Sequence, residues 1–433
     1  MRILHTSDWH LGKPLEGRSR RDEQQAFLEE LVRLVDEASI DLVLLAGDVF
    51  DVYNPPAWAE ELFYQAVAEL GAYGQRGVVV IAGNHDSPDR LAAPHQLAKT
   101  HGVFILGRPD DTVSRYRRLA GQVVEVQHTA PSFLKLRVPR TGEVASIAAL
   151  PYPSESRLGR LLVDHEATRQ RDYAAGLARV FDQLSEGFDK KTVNLAMSHL
   201  YVDEARASES ERELVGGADR VQAAVLPKRA QYTALGHLHE PQDVWLPPGG
   251  AKGRRARYSG APLAFRMSER DSRKSVTIVD VVPGKGPEVE LVPIAAGRPM
   301  VVWEAESLAE VHQGLEQGRH VGAWCELVVR LDERPSHADI VALRKARDFL
   351  RVRVVLPPAG ATTSDLGRRR ELPMDELFRR FARSKEVEPT SELVKLFEEL
   401  AEGAGLDALL EEGPTLSVQT DGTGQETVPG AAK

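Results

Sequence analysis

A single cysteine, Cys325, is the only thiol in this 433-residue chain, so no internal disulfide can form. It lies in a mostly apolar run with Trp324 and Leu327. No apolar stretch approaches the roughly 18 residues of a membrane-spanning helix. The opening Met1-Arg2-Ile3-Leu4-His5-Thr6-Ser7-Asp8 lacks the long apolar core of an export signal. The expected setting is therefore the reducing cytoplasm, with no membrane partner. Positive charge is also short: the net charge is -9, which argues mildly against a polyanionic partner. Its distribution qualifies that. Between Lys252 and Lys274, eight cations (Lys252, Arg254, Arg255, Arg257, Arg266, Arg270, Arg273 and Lys274) face only Glu269 and Asp271. From Glu398 onward the chain is acidic, so a basic surface can coexist with an acidic total.

What is present is globular: 42% hydrophobic and 27% charged residues, over a length that predicts two or three domains. The first hundred residues alternate strand and helix patterns. Arg2–Ser7, Leu42–Ala46 and Val78–Ala82 read as strands, the last two as continuous apolar runs buried on both faces. Asp22–Ala38, Ala57–Ala72 and Asp89–Thr100 read as helices. Further strands are expected at Val123–Val126, Phe133–Val138, Ala145–Leu150, Val193–Met197, Tyr232–Leu235 and Ser275–Val282, with a helix at Arg171–Phe188. The expected class is α/β: two packed β-sheets flanked by helices over residues 1–293. A small α/β domain follows over 294–356, with strands Val301–Glu304, Trp324–Leu331 and Val352–Leu356 and helices Leu308–Gln317 and Ala338–Leu350. A linker (357–372), a helix pair (373–412) and a disordered tail (413–433) complete the organisation.

Five short polar motifs each follow a buried strand. They are Asp8-Trp9-His10, Gly47-Asp48-Val49-Phe50-Asp51, Gly83-Asn84-His85-Asp86, His199, and Gly236-His237-Leu238-His239. Loops at strand ends are where open α/β sheets place their sites, so residues distant in sequence can converge there. Carboxylates mixed with imidazoles suit borderline divalent ions such as manganese, iron or zinc. A carboxylate can bridge two ions that clamp an in-line phosphoryl displacement. The glycines before Asp48, Asn84 and His237 allow tight turns. Any one motif is weak; five in order, each after a buried strand, point to a dinuclear centre.

This order resembles the calcineurin-like metallophosphoesterase superfamily. The resemblance implies that Asp8, His10 and His239 hold one metal, that Asn84, His199 and His237 hold the other, and that Asp48 bridges them. It implies a catalytic His85 that faces the scissile phosphate, with Asp86 orienting its ring. Asp51 and Ser198 are expected to support the site or to be structural. Within the superfamily, Leu4-His5-Thr6-Ser7-Asp8-Trp9-His10-Leu11-Gly12, Leu45–Asp51, Ile81–Ser87 and Tyr258-Ser259-Gly260-Ala261-Pro262-Leu263 are similar to the SbcD nucleases. That branch implies two Mn2+ ions, 3′-to-5′ exonuclease action on DNA ends and endonuclease action on single strands and hairpins. It also implies a DNA-capping second domain, a homodimer, and an SbcC-type ATPase bound through residues 373–412.

In the helix pair, Leu393, Leu396, Phe397 and Leu400 form an apolar stripe, and Leu377, Phe378 and Phe381 have similar spacing. Helices Ala57–Ala72 and Asp89–Thr100 carry Leu62, Phe63, Leu70, Leu91 and Leu97, which either form the dimer surface or pack on the sheet. The alternatives are a phosphodiesterase or phosphatase for small or protein substrates, and a scaffold with a vestigial metal site. The complete ligand set weighs against the scaffold.

Overall fold

A computed structural model of the chain describes residues 1–114, 123–158, 170–206, 220–347 and 349–356, with Phe378, Arg379, Ala382, 389–391, Leu393, Val394 and Phe397 beyond them. The chain divides into two compact units, Met1–Met300 and Val301–Lys433.

The first unit is built on two sheets. A six-stranded sheet runs Glu288–Pro293, Ser275–Asp280, Arg2–Thr6, Leu42–Ala46, Gly77–Ile81, Val103–Leu106. A seven-stranded sheet runs Gln242–Val244, Arg255–Tyr258, Tyr232–Gly236, Val193–His199, Val144–Leu150, Phe133–Arg137, Glu125–Ala130. The period-2 alternation of side chains explains how they stack. In Leu42–Ala46, residues Leu42, Leu44 and Ala46 point into a core shared with Leu134, Ile147, Leu195, Met197 and Tyr232 of the second sheet. Val43 and Leu45 point the other way, onto Phe27 and Leu31 of helix Arg21–Glu37 and Phe63 and Val67 of helix Ala57–Leu70. On the far face of the second sheet, Leu177, Val180 and Phe181 of helix Gln170–Glu186 cover Leu150, Leu235 and Tyr258. The result is the expected helix–sheet–sheet–helix sandwich.

Strand direction positions the site. Arg2–Thr6, Leu42–Ala46 and Gly77–Ile81 are parallel neighbours, as are Val193–His199 and Tyr232–Gly236. The two sheets are joined across the core at this end, where His199 Nδ1 meets the Ala46 carbonyl at 2.9 Å.

Several expectations are corrected. Asp89–Thr100 is not one helix but Pro88–Ala92, His95–Ala98 and a 3-10 turn, because Pro94 has no N–H to continue the ladder. The strands Val103–Leu106, Arg255–Tyr258 and Glu288–Pro293 were not anticipated. Phe63, Leu70 and Leu91 are buried in the core, so they are not a docking surface; Leu62 is half-buried and Leu97 is exposed.

In the second unit, Met300–Ala305, Trp324–Arg330 and Arg351–Val355 form a three-stranded sheet. Trp303, Val311, Cys325, Leu327, Leu343 and Phe349 make its core. Helix His337–Ala346 starts on a Ser336–Asp339 capping box and ends earlier than expected, where Arg347 turns to an extended conformation. The expected linker and tail lie outside the described residues, as do Leu377, Phe381, Leu396 and Leu400 of the helix pair. Phe378 and Phe397 stack face to face, with ring centroids 4.2 Å apart.

Candidate metal centre

All seven predicted ligand side chains meet at one end of the two sheets. Asp8, His10 and His239 present ligand atoms within 4.8 Å of one another, and so do Asp8, Asp48 and His199. Asn84 joins the second group: its Oδ1 lies 2.9 Å from His199 Nε2 and 3.1 Å from His237 Nδ1. Asp48 stands between the groups, with Oδ2 3.6 Å from His10 Nε2 and 3.4 Å from His199 Nε2.

The backbone is bent to achieve this. Asp8, His10, Asp48 and His237 have φ of 54°, 43°, 48° and 109°, a region side-chain-bearing residues rarely adopt. Each such residue costs on the order of 1–3 kcal/mol and persists only where surrounding contacts over-determine it. Those contacts are visible: the His237 N–H donates to Asp8 Oδ1 (3.0 Å), the His85 N–H to Asp48 Oδ1 (2.9 Å), and Ser7 Oγ to Asp8 Oδ2 (2.5 Å).

The protonation balance calls for cations. Burial holds His10 below the ordinary imidazole value, His237 down at about 3, and His239 well below 6.5. These rings are neutral and offer lone pairs; His10 Nε2 and His239 Nε2 face each other at 3.2 Å. Burial, helped by the neighbouring Asp48 charge, pushes Asp8 up to about 8. Burial opposes ionisation of Asp48 too, but His199, His10 and His85 around it win and hold it well below the usual carboxylate range. His199 is likewise disfavoured as a cation by burial, yet Asp48 and Asp8 raise it to about 9. Crowded buried carboxylates beside neutral imidazoles fit divalent metal ions, which relieve the repulsion and use the lone pairs. With Nδ1–H of His199 given to the Ala46 carbonyl, its Nε2 faces Asn84 and Asp48.

Two details differ from expectation. Asp86 does not orient His85. Its carboxylate accepts the backbone N–H groups of Gly83, Val49 and Phe50 at 2.8, 3.1 and 2.9 Å, and so ties two ligand loops together. His85 instead donates Nδ1–H to the Asp51 carbonyl, 2.6 Å away. The Asp51 carboxylate lies 2.6 Å from Lys13 Nζ and 3.4 Å from His10 Nδ1, so Asp51 touches both rings through different groups. Ser198 is fully buried behind the site.

Sequence reasoning missed Lys13 and Phe265. The Phe265 ring stands edge-on to both His10 and His239, and no local pattern around it marks that contact. The basic stretch is partly spent internally: Arg257 pairs with Asp243, Lys274 with Glu269, Arg270 with Asp271, and Arg254 binds the carbonyls of Gly249 and Pro247. Lys252, Arg255, Arg266 and Arg273 are exposed.

Residues 1–241 match the family described as calcineurin-like phosphoesterase. Residues 296–386 match the SbcD C-terminal family, described as type 5 capsule protein repressor C-terminal domain. The SbcD subunit of the SbcCD nuclease from Bacillus subtilis is 40% identical over 93% of this chain and 98% of its own length. The chain belongs to the SbcD family. The SbcD proteins of Rhodobacter capsulatus and Escherichia coli K12 are 32% and 29% identical, over 85% and 90% of this chain and 92% and 95% of their own lengths. This member of the SbcD family is therefore a metal-dependent phosphodiesterase, and its His/Asp cluster binds divalent metal. Among the described residues no helix is long and apolar enough to cross a membrane.

Proposed function

We propose that the chain is the two-metal nuclease component of a DNA end-processing complex. Asp8, His10 and His239 hold one ion, Asn84, His199 and His237 the other, and Asp48 bridges. One observation carries this: a single Asp48 oxygen lies within 3.6 Å of His10 Nε2 and 3.4 Å of His199 Nε2, at the junction of the two ligand groups. Two divalent ions bound there, manganese in preference to magnesium, supply Lewis acidity toward the phosphodiester and a lowered pKa for water.

The chain's own residues do the rest. Burial keeps the His10, His237 and His239 rings neutral and able to coordinate. His85 is the catalytic residue for the departing oxygen. Its Nδ1–H is committed to the Asp51 carbonyl, so Nε2 carries a proton only when the ring is the imidazolium. In that form Nε2–H faces the site, 4.0 Å from Asp48 Oδ2, and donates to or stabilises the oxygen as it leaves. Asp86 is a positioning residue for the loops rather than for the His85 ring.

The substrate is DNA, cut 3′ to 5′ from ends and internally in single strands and hairpins. The relatives are named as nucleases, and the exposed cations Lys252, Arg255, Arg266 and Arg273 suit phosphate contacts that carry no sequence preference. The relatives are also named as one component of SbcCD, which supports an SbcC-type ATPase as partner, bound through residues 373–412. We further propose a homodimer and a cytoplasmic location. Incubation with manganese and end-labelled hairpin DNA, then with a generic phosphate ester, tests the substrate. Cleavage of the DNA is expected; turnover of the ester alone would favour a small-substrate phosphodiesterase, and turnover of neither a scaffold. Truncation after Leu366 should abolish ATPase binding and spare cleavage of single strands.

A further inference from the structure

Phe265 is 5% exposed and sits where three rings meet. Its centroid is 5.1 Å from His10 with the planes at 79°, and 5.1 Å from His239 with the planes at 76°. The two imidazoles are themselves 5.0 Å apart at 77°. Three mutually near-perpendicular rings at van der Waals contact leave none free to turn without displacing another. The Lys13 ammonium, itself held by Asp51, closes over the same phenyl ring at 5.3 Å.

The peptide unit that leads into Phe265 is held at both its carbonyl and its N–H. Arg20, buried and paired with Glu23, donates to the Ala264 carbonyl at 2.5 Å. Glu269 accepts from the Phe265 N–H at 3.4 Å and from Lys274 Nζ at 2.5 Å, and Lys274 also reaches the His239 carbonyl at 3.3 Å. The other ligand group has different neighbours: Tyr152 lies edge-on to His199, and Tyr201 tilts over His237. Phe265 therefore packs on the His10–His239 group, while tyrosines flank the other.

We propose that Phe265 is a positioning residue for one half of the dinuclear centre, a buttressed ring that keeps the His10 and His239 imidazoles turned toward their shared ion and so sets the affinity of that site alone. This rests on the ligand grouping proposed above. Without the ring, both imidazoles gain rotational freedom that coordination must then remove. Groups that orient metal-bound histidines are worth roughly 10- to 100-fold in metal affinity.

The test is Mn2+ titration of the metal-stripped full chain by calorimetry, with the electron paramagnetic resonance spectrum recorded at each step. Wild type should take up two equivalents and develop a spin-coupled spectrum. Phe265→Ala and Phe265→Leu should weaken one equivalent by roughly 10- to 100-fold and leave the other within about twofold, so that a mononuclear spectrum persists at intermediate manganese. Phe265→Tyr, which keeps the ring, should restore tight binding. Phe265→Leu preserves apolar volume and decides the matter if Phe265→Ala does not fold. An unchanged isotherm in Phe265→Leu, or equal weakening of both equivalents, would overturn the role of Phe265. Fewer than two equivalents in wild type would instead overturn the two-ion reading on which it rests.

Discussion

His5 ties the two sheets together, and its removal has a calculable signature. The residue lies in the strand Arg2–Thr6 and is fully buried. Its Nδ1 is 2.9 Å from the Tyr232 hydroxyl and its Nε2 is 3.2 Å from the Leu235 carbonyl, both in the opposite sheet. A neutral ring with the proton on Nε2 satisfies both, accepting from Tyr232 and donating to Leu235. Burial, with a contribution from Arg257, pushes its pKa down to about 3. The unfolded chain has an ordinary histidine, near 6.5, and binds a proton there that the folded chain refuses. The stabilisation is therefore fully present above about pH 6.5 and is lost as pH falls toward the folded value. The slope is on the order of 1 kcal/mol per pH unit. His5→Phe keeps the shape and deletes this term, while leaving the Tyr232 hydroxyl and Leu235 carbonyl without their partner. At neutral pH that should cost about 1–3 kcal/mol for each group. Urea unfolding of the metal-free protein at about pH 7.5 and about pH 5.5 separates the effects: wild type should lose on the order of 1 kcal/mol more than His5→Phe over that interval. Equal losses in the two proteins would mean that His5 protonates as readily folded as unfolded, and would refute the argument.

Two further substitutions probe how the ligand loops are held. A Cβ on Gly83 would sit 2.1 Å from Asp48 Oδ1 and 2.3 Å from the Asp48 nitrogen, so Gly83→Ala should displace Asp48 and abolish stoichiometric metal uptake, measured by elemental analysis. Asp86→Ala removes one acceptor from three buried N–H groups and should destabilise the fold by roughly 3–5 kcal/mol in chelator, read from urea unfolding. Retention of wild-type stability in Asp86→Ala would contradict its role in tying the ligand loops together.

The motifs were legible because each follows an apolar run long enough to be a strand. The parallel order then fixes which strand ends share an edge. Local pattern could not supply partners chosen by the fold. Asp86 follows His85 directly, and the family resemblance implied that it held the ring. In the folded loop its carboxylate instead meets the N–H groups of Val49 and Phe50, which only the pairing of the neighbouring strands brings within reach. Phe265 reaches His10 from 255 positions away in sequence, by a turn that no periodicity announces. The edge strand Glu288–Pro293 escaped notice because it is mostly exposed and carries Glu288 and Glu290 where a buried strand would be apolar. The break at Pro94 was readable, and the apolar spacing of Leu91 and Leu97 masked it.

The central claim is that seven residues hold two ions while His85 acts on the substrate without holding either. Metal content and single-turnover cleavage of end-labelled DNA, measured together on His85→Leu and Asp48→Ala, test it most directly. His85→Leu should keep both ions and near-normal DNA binding but cleave roughly 10²-fold more slowly or worse, whereas Asp48→Ala should lose metal. Loss of the ions from His85→Leu to the same extent as from Asp48→Ala would contradict it, because His85 would then be a ligand.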